Sequence, residues 1–142
     1  MRREAIKDGQ TSLLEASLIA SRRTAEFYTT EGRLATEHAL IDDNSDGLGT
    51  PADWFRGVRA VKTAANSAGV DGLRAHQIHL VRSEQERKLS PALRARRDEL
   101  EVAIAKLRET KGKTTDAEYY GQLEPLLLEL ARLYGPNQPG FE

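Results

Sequence analysis

The sequence predicts an all-α protein. Three observations lead there. Apolar residues recur at helical spacing along most of the 142 residues, no segment shows the apolar–polar alternation of a half-buried strand, and helix-start signatures stand before several of the periodic runs. The length fits one domain or two small ones and allows a true core. With no cysteine there is no disulfide framework, no thiolate metal site and no cysteine nucleophile. The 21 basic and 22 acidic side chains leave a net charge of −1, which argues against a dedicated nucleic-acid binder. No apolar run approaches the roughly 20 residues that cross a bilayer, so no membrane partner is expected. The two arginines after Met1 have no apolar stretch behind them, unlike a signal peptide.

The first helix is expected from Ser12 to about Tyr28, with Leu13, Leu14, Leu18, Ile19, Ala25 and Phe27 forming its stripe. A shorter one follows from about Gly32 to Ile41, and a third from Pro51 with Trp54, Phe55, Val58 and Val61. Asn66 to Gly72 reads as a loop, and Leu73 to about Lys88 as another helix. Ser90-Pro91 opens the next, an N-cap followed by proline at the first helical position, with Leu93, Leu100, Ile104 and Leu107 on one side. Lys111 to Thr114 ends it. Thr115-Asp-Ala-Glu118 is a capping box for the last helix, which Pro125 is expected to kink or interrupt. The last two helices should form an antiparallel hairpin whose apolar stripes bury each other. The tail 135–142 is too rich in breakers to order itself.

One segment carries chemistry. Asp42-Asp-Asn-Ser-Asp-Gly-Leu-Gly-Thr-Pro-Ala-Asp53 matches the twelve-residue EF-hand calcium loop at positions 1, 3, 5, 6 and 9, and approximately at 12. A hard cation needs six to eight oxygens. Here Asp42, Asn44 and Asp46 supply side-chain oxygens, Leu48 its carbonyl, Thr50 a hydroxyl directly or through water, and Asp53 closes the site. Gly49 replaces the usual bulky residue at position 8. Asp53, shorter than the usual Glu, offers one oxygen or acts through water, which weakens calcium binding and narrows its preference over magnesium. The same residues also read as an acidic turn before an ordinary helix start capped by Thr50. A weaker copy of the pattern, Asp8-Gly-Gln-Thr-Ser12-Leu-Leu-Glu15, lies 38 residues earlier, an offset that suits paired EF-hands. It keeps Asp8, Ser12 and Glu15, but its third position is Ile6, which has no oxygen to give.

The segments 8–16, 21–23 (Ser-Arg-Arg), 31–40 (Glu-Gly-Arg-Leu-Ala-Thr-Glu-His-Ala-Leu), 49–57 (Gly-Thr-Pro-Ala-Asp-Trp-Phe-Arg-Gly) and 71–77 (Asp-Gly-Leu-Arg-Ala-His-Gln) resemble the C-terminal helical extension of bacterial legumain/caspase-like proteins. The resemblance implies an extension with Asp-Gly loops that follows a caspase-like domain, of which this chain carries neither the domain nor its catalytic His and Cys. It also implies export of the full-length relatives. In such relatives the first loop carries acidic residues at positions 1 and 3, from which Arg3 to Lys7 departs.

His76 and His79, three apart on an expected helix, form a weak transition-metal candidate without an acidic third ligand. His38 is expected to pack or face solvent. Arg94-Ala-Arg-Arg97, neutralised by Asp98, Glu99 and Glu101, reads as a solvated helix face, as does Arg22-Arg23. No nucleophile elbow or phosphate loop is present, so catalysis is not expected. The expected organisation is an EF-hand-like pair over 1–65, a linking loop and helix over 66–90, the hairpin over 91–134 and the tail. The expected function is a non-enzymatic module with one calcium site of structural role. The alternative is a metal-free interaction module whose hairpin forms a homodimer or docks a caspase-like domain.

Overall fold

A computed structural model describes residues 9–36, 38–66 and 69–135. The chain divides into two compact units, Met1–Ser83 and Glu84–Glu142, so the expected linking segment 66–90 is shared between them. The protein is mostly helical, but three two-stranded antiparallel pairs among the described residues correct the expectation of an all-α fold.

In the first unit, β1 (Thr11–Ser12) leads directly into α1 (Leu13–Thr30). Ser12 caps α1 through a capping box with Glu15. The helix stops where the backbone N–H of Arg33 returns to the Tyr28 carbonyl (2.9 Å) around Gly32 at φ 63°, a left-handed C-terminal cap. That stop replaces the helix expected from Gly32 to Ile41. Leu34 and Leu40 are exposed, so such a helix would have had no apolar stripe to bury. The chain instead forms β2 (Leu40–Ile41), which pairs with β3 (Thr50–Pro51) across the acidic loop.

A short 3-10 turn (Ala52–Trp54) and a hairpin, β4 (Phe55–Arg56) with β5 (Arg59–Ala60), stand where the third helix was expected. Gly57 at φ 59° makes the two-residue turn that a helix could not accommodate. The expected helix 73–88 is broken as well. It becomes α2 (Leu73–Gln77), β6 (His79–Val81) and α3 (Glu84–Lys88). The strand forms because β1 offers its backbone: Ser12 faces His79, Thr11 faces Val81, and the Leu13 N–H donates to the Ile78 carbonyl at 2.8 Å.

The core of this unit is small. Leu14 is fully buried and Ala75 nearly so. Gly72, at φ 107°, lets Phe55 and Leu14 close over it, since a Cβ there would lie 2.7 Å from Phe55 Cε1 and 3.4 Å from Leu14 Cδ2.

The second unit is α3 with a hairpin of α4 (Pro91–Glu109) and α5 (Asp116–Leu133). Ser90 caps α4 with proline at its first turn, and Thr115–Glu118 form the capping box of α5, as the sequence predicts. Arg96 near the start of α4 bonds Glu129 near the end of α5 at 2.7 Å, so the helices run antiparallel. Among the described residues of this unit, Leu100, Ile104 and Tyr119 are the buried apolar ones. The helix continues through Pro125, with Leu123, Leu126, Leu130 and Leu133 half-buried on both sides of it. Burial of the stripe outweighs the one hydrogen bond that proline removes.

The Arg94–Arg97 cluster is a solvated face only in part, since Arg96 is exposed and Arg97 is not. Arg97 is 8% exposed and grips buried Glu86 bidentately at 2.7 and 3.0 Å, with Asp98 at 2.8 Å. Burial works against its charge, but the two carboxylates hold Arg97 more firmly protonated than a free arginine. The expectation for the tail falls on 136–142, outside the described residues, apart from Gly135.

Candidate cation-binding loop

The loop between β2 and β3 is built from short side chains that turn back on their own backbone. Asp42 Oδ1 accepts the Ser45 N–H at 2.8 Å and its Oδ2 the Gly47 N–H at 3.0 Å. Asn44 Oδ1 accepts the Asp46 N–H at 2.9 Å, and Asp46 Oδ1 the Leu48 N–H at 2.8 Å. Ser45 at φ 64° and Gly47 at φ 76° supply the left-handed residues such a path needs. Asp, Asn, Gly and Ser are the residues that favour this geometry, which is why the segment departs from both helix and strand.

Four hydrogen bonds tie the loop to residues 69–75. Thr50, 2% exposed, donates its hydroxyl to Asp71 Oδ2 at 2.6 Å, and the Asp43 N–H approaches Asp71 Oδ1 at 3.3 Å. Asn44 Nδ2 donates to the Gly69 carbonyl at 3.2 Å. In addition, Asp43 Oδ2 accepts the Ala75 N–H at 2.9 Å. Gly72, at the N-cap of α2, has no side chain to cap it, so Asp43 caps the helix from a distance. Burial pushes the Asp71 carboxyl above its ordinary range. The two hydrogen bonds oppose that shift, and the nearby charges of Asp43 and Asp46 add to it.

Asp42, Asn44 and Asp46 therefore come together in one organised loop, with the Leu48 backbone following. Thr50 is held by Asp71, and Asp53 lies exposed in the 3-10 turn. The helix-loop-helix frame of an EF-hand is not what surrounds them, because a strand enters the loop and a strand and 3-10 turn leave it. Nor do Thr11 and Ser12 of the weaker copy pair with the strands around the acidic loop. β1 pairs with β6 and β3 with β2, which corrects the expected EF-hand-like pair.

In the weaker loop, Asp8 lies outside the described residues. Ser12 and Glu15 are committed to the helix cap. Glu15 Oε2 takes both the N–H and the hydroxyl of Ser12 at 2.8 Å, and Ser12 Oγ receives the Glu15 N–H at 3.2 Å. His76 and His79 do not share a helix face, since His76 is on α2 and His79 on β6; His76 Nδ1 instead meets Ser12 Oγ at 3.2 Å. His38 is exposed in an irregular segment. No group of three or more His, Cys, Asp or Glu side chains is gathered for a metal among the described residues.

Asp43 and Asp71 are the residues that reading the sequence misses. The Asp71-Gly72 dipeptide before an apolar run was a local signal for a helix start, whereas nothing local marks Asp43 as its cap.

On α5, Tyr120, Leu123, Glu124, Leu127 and Leu128 line an open groove of about 400 Å³, with Leu127 and Leu128 43% and 49% exposed. No family model, curated protein or solved structure matches the chain.

Proposed function

We propose that the Asp42–Thr50 loop binds a divalent cation, calcium in preference to magnesium, and that the ion serves to hold the first unit together, not to catalyse. The reading is carried by the four N–H bonds that fold Asp42, Asn44 and Asp46 back on the loop. They place side-chain oxygens at the first, third and fifth positions of a calcium loop, and an oxygen that accepts one N–H keeps acceptor capacity for a metal. Asp42, Asn44, Asp46 and the Leu48 carbonyl would be the ligands, with water completing the shell. Thr50 would act as the tie to Asp71, and Asp53 through water. A cation there offsets the mutual repulsion of Asp43, Asp46 and Asp71 and stabilises the folded state by mass action.

Calorimetric titration of metal-stripped protein with calcium and with magnesium tests this. Calcium should bind more tightly, and Asp42→Asn with Asp46→Asn should abolish the heat. Absence of binding at millimolar calcium sinks the proposal.

The exposed groove on α5 favours a second reading, in which the hairpin is an interaction module and the acidic loop only a turn. Its partner would be a second copy or, as the resemblance implies, a caspase-like domain. Light scattering over a range of concentrations separates these, because a strict monomer leaves only a foreign partner.

A further inference from the structure

We infer that the tip of the β4–β5 hairpin, Arg56-Gly57-Val58-Arg59, is a docking element that carries two arginines onto an acidic surface of a protein partner. The register places Phe55 opposite Ala60 and Arg56 opposite Arg59. Alternation along the strands then sends the first pair to one face and the arginines together to the other. Phe55 and Ala60 are half-buried, and Phe55 is seated against Gly72, so the base is anchored with the arginine face outward. The Val61 N–H continues the pairing to the Trp54 carbonyl at 2.8 Å.

Like charges directly across a strand pair oppose folding. By contrast, Arg96 and Arg97 each hold two carboxylates. Among the described residues, no ion pair or side-chain hydrogen bond engages the guanidinium of Arg56 or Arg59. Two guanidiniums on one face suit carboxylates, which they bind bidentately. The shape decides between a small anion and a protein. All four tip residues are exposed and a Cβ on Gly57 would meet nothing within 4 Å, so the tip is convex and cannot wrap a free phosphate. Val58, 41% exposed between the arginines, adds apolar contact area that only a macromolecular surface would use.

The test is amide chemical-shift mapping of the full chain with the blocked peptide Glu-Glu-Leu-Glu-Glu, and in parallel with inorganic phosphate and pyrophosphate. The peptide should shift the amides of residues 55–60. Arg56→Gln with Arg59→Gln should weaken it at least tenfold without lowering the melting temperature, since it also removes the repulsion across the strand pair, and Val58→Ala a few-fold. Arg22→Gln with Arg23→Gln should leave it unchanged. No shift at millimolar peptide, equal loss in the Arg22/Arg23 variant, or phosphate binding as tightly as the peptide would each overturn the inference.

Discussion

The Thr50 hydroxyl and the Asp71 carboxylate meet at 2.6 Å across 21 residues of sequence, and each residue is only 2% exposed. This bond fastens the acidic loop to the segment that enters α2. Thr50→Val keeps the shape and removes the donor, leaving a buried carboxylate one partner short. The expected loss is about 1–3 kcal/mol in urea unfolding. Thr50→Ser, which restores the hydroxyl, should recover most of it.

Gly72 is constrained twice, by its φ of 107° and by the Phe55 ring that a side chain would strike. Gly72→Ala should destabilise the protein by more than about 1 kcal/mol, whereas Gly112→Ala, with open space around it, should not. Thermal melts of the two variants provide the comparison.

The Arg97–Glu86 pair joins α3 to α4 with side chains 9% and 7% exposed. Removing either partner leaves a buried charge, so Arg97→Ala should cost about 3–5 kcal/mol. Glu86→Ala should cost less, because Asp98 still engages Arg97. Replacing the pair with Arg97→Met and Glu86→Leu should restore stability to near or above wild type in denaturant titrations.

The Glu118 carboxyl is held below its ordinary value by the side chain and backbone N–H of Thr115. A carboxylate whose native pKa is depressed stabilises the fold above its unfolded pKa of about 4.3, and that stability disappears as pH falls through the native value. Glu118→Gln should therefore flatten the acid limb of the stability–pH curve below about pH 4.5. Equal slopes for wild type and variant would contradict this.

What the sequence made legible was local. The start signals of α4 and α5 each lie within four residues, at Ser90-Pro91 and at Thr115 to Glu118, and both are found in place, whereas Ser12 and Glu15, which read as part of the weaker acidic loop, form the capping box of α1. The turn-forming side chains of Asp42, Asn44 and Asp46 are equally local. The strands are not. Ile78 to Val81 leaves the helical path because Thr11 and Ser12, far back in the chain, take up its backbone groups, and no periodicity in 73–88 records that. Likewise the charge pattern at 94–101 averages to a solvated face, while burial of Arg97 depends on Glu86 standing on the preceding helix. Asp43 and Asp71 gain their roles through partners at a distance in sequence, which composition cannot reveal.

Whether the Asp42–Thr50 loop holds a cation shows in ion-dependent stability. Metal-stripped protein should melt higher when calcium is added, with Trp54 fluorescence following the same transition, and magnesium should raise the melting point less. Asp42→Asn with Asp46→Asn should remove the calcium increment. A melting temperature unmoved by millimolar calcium, or an increment retained in the double variant, would mean that the loop holds no ion.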